Sequence, residues 1–321
     1  MDTRPLGRSG IRITEFIFGA GAIGGIGGAA ATRGLGLSVE QGLDRLAEAH
    51  AEGIRVVDTA DSYGGGESER TVGRWLAERQ PAGVLVQTKV GGLVRAGQSG
   101  VDLSAAHIET QLAQSIQRLG QVDLYLSHAP DPHTPLEQTL TAFAAAQAAG
   151  QIRAYGVSNV DAPLLESLLR TAAEAGLPRP EFVQNGFSLL SRDDEAGLLP
   201  LVQAESLGYL AFSPLAGGVL SERYLDGAAP AAGSRIAVAG DRYYTGMHTQ
   251  ANLDRVARLR EVARDKGISV AGLALAWLRA YPARPAPIVS PSSQTQWQAV
   301  REAIATDLDD ENFAAISAIF G

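Results

Sequence analysis

Ile54-Arg55-Val56-Val57-Asp58-Thr59-Ala60-Asp61-Ser62-Tyr63-Gly64-Gly65-Gly66-Glu67-Ser68-Glu69 is the stretch from which the rest of the chain is read. Its apolar start reads as a buried strand. A helical pattern follows from Ser68 to Glu78. Asp58 therefore stands at the C-terminal end of a strand, and Tyr63 on the loop into a helix. In a parallel sheet that edge is where ligands bind. On its own the stretch reads equally well as a turn, with Asp58 capping and Tyr63 packing.

Outward from it the same unit repeats. Residues 3–14 read as a small hairpin around Gly7-Arg8-Ser9-Gly10. Phe16-Ile17-Phe18 is a short strand that runs into a glycine-rich loop, Gly19 to Gly28. The dinucleotide fingerprint needs a helix directly after such glycines. Here small residues continue to about Leu37, so the loop reads as a ligand-side loop instead. Then come a helix at 39–52, strand 54–58, helix 68–79, strand 83–89, helix 104–119 and strand 122–127. They continue as helix 136–149, strand 152–158, helix 162–175, strand 181–184, helix 194–206 and strand 208–212. Helices at 252–266 and 269–280 precede a last strand, 286–289, and helices near 293–304 and 309–319. Several helices run into glycines (Gly53, Gly120, Gly150, Gly176, Gly267), a common way to end one.

Eight strands alternating with helices, with no linker between halves, predict an α/β fold. It is a single (β/α)8 TIM barrel over residues 1–321, with an N-terminal β-hairpin and long βα loops on the catalytic face. A doubly wound sheet is the alternative. The long loops are 19–37, 90–103 and 213–251, and loops of that length are usually functional or disordered. The third carries Tyr243, Tyr244, Met247 and His248.

Composition narrows the chemistry. The chain has 321 residues, 45% hydrophobic and 19% charged, as an ordinary globular protein does. It has no cysteine, so disulfides and thiolate metal sites are excluded. Its His residues show no HxxxH or HxH spacing, so zinc is not expected. A net charge of −8 disfavours nonspecific binding to nucleic acid or to acidic membranes. There is no apolar leader pattern at Met1-Asp2-Thr3-Arg4 and no apolar run of about 18 residues, so a cytoplasmic protein is expected. The lysines are Lys89 and Lys266, against a total of 27 basic residues. Lysine, unlike arginine, is a tunable acid, which draws attention to Lys89 at a strand end.

A barrel brings its strand ends to one rim: Asp58; Thr88-Lys89; Ser127-His128; Ser158-Asn159; Gln184; Phe212-Ser213-Pro214-Leu215. With these motifs the sequence resembles the aldo-keto reductases. The matches are Gly53-Ile54-Arg55-Val56-Val57-Asp58-Thr59-Ala60-x-x-Tyr63-Gly64, Gly66-x-Ser68-Glu69, Thr88-Lys89 and Asp123-Leu124-Tyr125-Leu126-x-His128-x-Pro130-Asp131. They go on through Gly150-x-Ile152-Arg153-x-Tyr155-Gly156-Val157-Ser158-Asn159, Val183-Gln184-Asn185 and Phe212-Ser213-Pro214-Leu215-x-x-Gly218-x-Leu220. The likeness covers nearly the whole chain in order.

The resemblance implies NAD(P)H-dependent reduction of an aldehyde or ketone by direct hydride transfer. Tyr63 would be the general acid and Lys89 its activating cation. Asp58 would hold Lys89, and His128 would orient the carbonyl. It also implies that Ser158, Asn159 and Gln184 meet the nicotinamide carboxamide, and that Phe212 stacks on the ring where the family usually has Tyr. Gly19, Ala20 and Gly21 would approach the nicotinamide, and Ser213, Pro214, Leu215 and Gly217 would line the pyrophosphate path. Arg223 replaces a usual lysine and would clamp phosphate; a solvated surface arginine is the other reading.

The sequence departs from the family at Pro287 to Gln296. Where many NADPH-preferring members carry Lys or Arg, Ser290, Ser292 and Gln296 stand, with Arg301 a turn further on. Ala299 and Val300 occupy the place of a Glu-Asn pair. NADP is still expected ahead of NAD. The same site run oxidatively on a sugar or secondary alcohol, and a cofactor-sensing subunit without catalysis, remain as alternatives. The expected partner is a small carbonyl or alcohol, not nucleic acid or membrane. Its specificity is expected from Ile23, residues 91–103, Ala129 to His133 and the 213–251 loop.

Overall fold

The structure, a computed structural model, describes residues 1–92 and 100–321. The expected pocket residues 93–99 lie outside the described residues. A two-stranded antiparallel sheet opens the chain, β1 (Thr3–Pro5) with β2 (Arg12–Thr14), Thr3 opposite Thr14. The elements then run β3 (Ile17–Gly19), α1 (Val39–Ala51), β4 (Val56–Asp58), α2 (Glu67–Arg79), β5 (Leu85–Val90), α3 (Ala105–Leu119) and β6 (Leu124–Ser127). They continue with α4 (Leu136–Ala148), β7 (Ala154–Ser158), α5 (Ala162–Glu174), β8 (Phe182–Gly186), α6 (Leu198–Ala204) and β9 (Gly208–Phe212). Then come α7 (Arg235–Tyr243), α8 (Gln250–Asp265), α9 (Val270–Ala280), β10 (Ala286–Val289), α10 (Gln294–Ala305) and α11 (Asp310–Phe320). The strands β3 to β10 close into a parallel barrel in the order β10-β3-β4-β5-β6-β7-β8-β9. That is the (β/α)8 architecture the alternation predicts, and not a doubly wound sheet.

By their internal contacts the residues fall into two units. One comprises Met1–Asn185 with Asp194–Leu210, and the other Gly186–Asp193 with Ala211–Gly321. In the first, the parallel register sets which side chains share a face. Gly19 lies opposite Asp58, Asp58 opposite Gln87, and Lys89 opposite Leu126. Leu126 lies opposite Gly156, Gly156 opposite Phe182, and Ser158 opposite Gln184. Side chains alternate with period two along a strand, so Asp58, Gln87, Lys89, Ser158 and Gln184 share one face. Position 156 falls on that face by register and is glycine because a Cβ there would come within 2.6 Å of the Phe182 ring.

The opposite face meets the helices. Thr88, between Gln87 and Lys89, donates to Glu69 Oε1 of α2 at 2.6 Å. Glu69 Oε2 accepts from Arg118 Nε of α3 at 2.5 Å. The two helices approach closely at Gly73, where a Cβ would lie 1.9 Å from the Arg118 carbonyl oxygen. Helix starts follow the sequence: Ser38 forms a capping box with Gln41, and Ser104 and Asp161 cap α3 and α5.

The second unit is built around α9, whose residues Leu273 to Leu278 are all buried. Trp277 stacks on Phe313 of α11 at 5.6 Å, and its indole N–H donates to Ser317 at 2.8 Å. Two elements differ from expectation. The helix expected at 194–206 is a single 3-10 turn, Asp193–Glu195, followed by α6 from Leu198. Gly197 sits between them at φ −136°, ψ −55°, outside helical space. The long 213–251 loop contains α7, whose start is marked by Ser234 accepting from Ala237 N–H. Among the described residues no helix is long and apolar enough to cross a membrane.

Candidate active site

Lys89 is 1% exposed and Asp58 4%. An ammonium so deep needs every proton taken. Its Nζ donates to Asp58 Oδ1 at 2.7 Å, to Asp58 Oδ2 at 2.8 Å and to the Thr59 carbonyl at 2.8 Å. Asp58 Oδ1 also accepts from Gln87 Nε2 at 2.5 Å and Gln184 Nε2 at 3.0 Å. Burial alone drives the Lys89 pKa down; Asp58 and then Tyr63 oppose it, and the ammonium ends above its ordinary value. It is a fixed positive charge.

That charge lies 4.8 Å from the centroid of the Tyr63 ring. The chain reaches Tyr63 by a tight 3-10 turn, Tyr63–Gly65, in which Gly64, Gly65 and Gly66 have φ of 57°, 69° and 88°. Three consecutive left-handed residues need glycine. Gly21 lies close against the ring, since a Cβ there would lie 3.2 Å from Tyr63 Cε2. His128 meets Tyr63 edge to face at 5.5 Å. Burial, then the charge of Lys89, lowers the His128 pKa to about 3, so the imidazole is neutral at physiological pH. Its Nδ1 is sealed from solvent with no hydrogen-bond partner among the described residues. The four expected catalytic side chains thus stand together.

The remaining expected residues of this unit are neighbours of the four. Ala20 N–H donates to the Asp58 carbonyl at 2.8 Å, and the Ala20 carbonyl accepts from Ser68 at 2.9 Å. Ser158 Oγ donates to the Gln184 carbonyl at 2.6 Å. Asn159, at φ 58°, donates its amide to the His128 carbonyl at 2.8 Å and so fixes the end of β6 against that of β7. Gln184, expected on the cofactor carboxamide, donates an amide N–H to Asp58. Ile23, expected in the substrate pocket, is 1% exposed and packs toward Gly42 of α1.

In the second unit Phe212 ends β9, and its ring covers Gly186, where a Cβ would lie 3.1 Å from Phe212 Cε2. The chain after it turns through left-handed residues: Ser213 (φ 53°), Ala216 (φ 47°), Gly217 (φ 70°) and Gly218 (φ 96°). Leu215, at φ −112°, ψ 17°, precedes Ala216. A right-handed residue followed by a left-handed one turns successive N–H groups toward one side, which is how backbone cradles an anion. Pro214, with no N–H, stands where the turn is entered. Within this turn the Ala216 N–H donates to the Ser213 carbonyl at 2.9 Å. Gly217 is also covered by the buried Tyr244, 3.0 Å from a Cβ placed there. Tyr244 and His248, expected as substrate-facing aromatics, pack within their own unit: His248 lies edge to face on buried Tyr224 at 4.9 Å. Arg223 is exposed. Ser290 and Ser292 are exposed at the approach to α10, and Ser292 donates N–H and Oγ to Gln296 Oε1 at 2.6 and 3.1 Å.

Sequence reasoning missed three groups. Gln87 is two residues before Lys89 in Val-Leu-Val-Gln-Thr-Lys, and the period-two pattern puts it on the same face. Buried Glu69 and half-buried Arg118 form an ion pair behind β5; Glu69 was legible only as part of the Ser-Glu motif. Asp61, inside the opening stretch, went unassigned.

The aldo/keto reductase family matches residues 22–320. Protein tas of Escherichia coli (strain K12) is 31% identical over 326 aligned positions, covering 90% of this chain and 93% of that protein. The L-glyceraldehyde 3-phosphate reductase of the same organism is 33% identical over 244, covering 73% and 70%. A probable voltage-gated potassium channel subunit beta of Oryza sativa subsp. japonica is 31% identical over 293, covering 88% and 84%. A match that begins in the loop after β3 and runs to the end of α11, with such relatives over most of their own length, shows that this chain belongs to the aldo/keto reductase family and is an NAD(P)-dependent oxidoreductase.

Proposed function

We propose that residues 1–321 act as one barrel domain that reduces an aldehyde or ketone to the alcohol, with Tyr63 as the general acid. The observation that carries this is the Lys89 ammonium, held by both Asp58 oxygens and the Thr59 carbonyl, 4.8 Å from the Tyr63 ring centroid. A phenol with a pKa near 10 is a weak acid at neutral pH. A fixed cation beside it stabilises the phenolate left when the proton goes to the carbonyl oxygen. Asp58, itself gripped by Gln87 and Gln184, keeps the cation from turning away. Neutral His128 donates a hydrogen bond to the same carbonyl oxygen and so aligns it with Tyr63.

The bound nicotinamide cofactor supplies the hydride. Its carboxamide would meet Ser158, Asn159 and Gln184. Gly19, Ala20 and Gly21 would lie beside its nicotinamide, and Phe212 would offer a ring face. The turn at Ser213, Pro214, Leu215 and Gly217, with Arg223, would hold the pyrophosphate. Ser290, Ser292 and Gln296 at the start of α10 would receive the 2′-phosphate of NADP, since a helix N-terminus with hydroxyls binds phosphate without a cation. NADP is thus preferred over NAD.

Replacing Tyr63 with Phe tests the assignment. Reduction of a panel of aldehydes and ketones should fall by about 10²–10⁴. Cofactor binding, followed by quenching of protein fluorescence, should persist. Wild-type turnover in Tyr63→Phe would overturn it. The relatives named as potassium channel β subunits support a second reading, cofactor sensing without turnover. Tight cofactor binding with no carbonyl reduced by the wild type across the panel would favour that reading.

A further inference from the structure

Asp61 stands two residues before Tyr63, and its N–H donates to the Lys89 carbonyl at 3.2 Å. Its backbone is therefore tied to the strand end that carries the activating lysine. The residue is partly buried, yet its Oδ1 is sealed from solvent and has no hydrogen-bond partner among the described residues. The groups facing it are Glu69 from α2, Arg118 from α3, Lys89 from β5 and the Tyr125 phenol from β6.

Both cations are already taken. Lys89 is held by Asp58 at 2.7 Å, and Arg118 by Glu69 at 2.5 Å. Among the described residues the cluster so holds two cations for three carboxyls. Were all three ionised, one negative charge would be left buried without a partner, which is costly in a low-dielectric interior. Asp58 and Glu69 each grip a cation with short bonds. Asp61, with an idle oxygen, is the one that must stay neutral. Burial, then the Glu69 charge, pushes its pKa up to about 8 against the opposing pull of Arg118, a hydrogen bond from the Ser62 backbone, and Lys89.

We propose that Asp61 is held as the neutral acid and is a positioning residue for proton donation by Tyr63, so that no second carboxylate joins Asp58 in the field of Lys89. Its assigned action is through Lys89 and Tyr63. When it ionises, a second negative charge enters the field of Lys89, the developing phenolate is less stabilised, and reduction slows. The proposal rests on the assignment of Tyr63 as the acid.

The test compares wild type with Asp61→Asn, which reproduces the shape and charge of the neutral acid. For kcat/KM of aldehyde reduction at saturating cofactor, the wild type should show a descending inflection near pH 8 that D61N lacks. The rate ratio of D61N to wild type should grow about tenfold by one pH unit above that inflection, as ionised Asp61 comes to outnumber the acid.

Two readouts do not involve turnover. A carboxyl whose folded pKa lies above its unfolded value stabilises the fold below the unfolded value and loses that stabilisation as pH rises through the folded one. The contribution of Asp61 to the Tm should therefore fall between about pH 4 and pH 8, against the opposite contribution of His128 below about pH 6.5, so the Tm of D61N should gain on that of the wild type across the window. Infrared titration of the wild type should show a protonated-carboxyl band that disappears near pH 8, with no variant needed. Profiles that superimpose after scaling, parallel Tm curves, or a wild type with no such band would each overturn the proposal. If instead Tyr63→Phe keeps full activity, the Tyr63 assignment fails while the melting and infrared results still decide the state of Asp61.

Discussion

The proposed acid–base site of the first unit and the proposed phosphate grip of the second are built in opposite ways. Lys89 and Asp58 are sealed among strand ends, and every proton on Lys89 Nζ has a partner. Arg223, Ser290 and Ser292 are exposed. The first arrangement is preorganised: its dipoles and charges are fixed before substrate arrives, so no reorganisation is needed in the transition state. The second must exchange internal contacts, such as that of Ser292 with Gln296, for a ligand's. Substitutions in the first should be severe and cost stability as well as rate. Those in the second should be mild and confined to affinity.

The largest effect is expected from Lys89→Met. Removing the cation should lower kcat by about 10²–10⁴, the range associated with a lost acid–base function. It should also destabilise the fold by about 3–5 kcal/mol, because Asp58 keeps a buried charge with no counter-ion. Lys89→Arg sharpens the point: it keeps the charge, but a planar guanidinium cannot fill the three-way contact to Asp58 and Thr59. Single-turnover kinetics and urea unfolding would separate the two losses. Loss of rate with full stability would mean that the pair is not preorganised.

The next effect reads the same buried site through pH. The folded-state pKa of His128 is about 3, against an ordinary 6.5. Between those values the unfolded chain binds a proton that the folded one does not. Stability is therefore present above about pH 6.5 and is lost as pH falls toward 3, by up to about 1.4 kcal/mol per pH unit. His128→Asn should flatten the Tm curve in that window. An unchanged slope would show that His128 is not held neutral.

The contrast also explains what the sequence could reveal. Parallel strands buried on both faces read as apolar runs ending in polar residues, and Asp58, Lys89, His128 and Ser158 were visible for that reason. So was the barrel, since strict alternation of elements admits few other folds. Gln87 was hidden because a glutamine within a strand carries no motif of its own, though its spacing of two from Lys89 puts it on the same face. Gln184 was visible, but its bond to Asp58 joins residues 126 positions apart and has no local trace. Helix α7 was hidden in a loop of small residues. Its capping Ser234 was the available signal, and Gly240 within the helix weakened it. Asp61 was masked by the turn-forming company it keeps; only the charge balance with Glu69 and Arg118 distinguishes it from a surface turn residue.

A smaller effect is expected at Gly217. Its φ of 70° disfavours any side chain, and a Cβ would lie 3.0 Å from the Tyr244 ring. Gly217→Ala should cost about 1–3 kcal/mol of stability and weaken cofactor binding by displacing the turn. Gly150→Ala is the control: its φ is 69°, but a Cβ there meets nothing within 4 Å. If both cost the same, the Tyr244 contact adds nothing to the backbone strain.

The smallest effect is expected at Ser292. Its hydroxyl, exposed and bonded to Gln296 Oε1 at 3.1 Å, is proposed to turn to the 2′-phosphate of NADP. One hydrogen bond, exchanged for another, is worth about 0.5–1.5 kcal/mol. Ser292→Ala should therefore weaken NADP by roughly two- to tenfold, read as Kd by fluorescence quenching, and leave NAD unchanged. The difference between the two cofactors isolates the phosphate, because everything else they present to the protein is the same. Arg301→Ala extends the measurement. Arg301 is exposed within α10 and contacts Gln294 at 3.4 Å. A loss of NADP affinity there with none at Ser292 would move the 2′-phosphate from the helix N-terminus to the cation. An equal loss of NADP and NAD at Ser292 would take the phosphate away from this helix altogether.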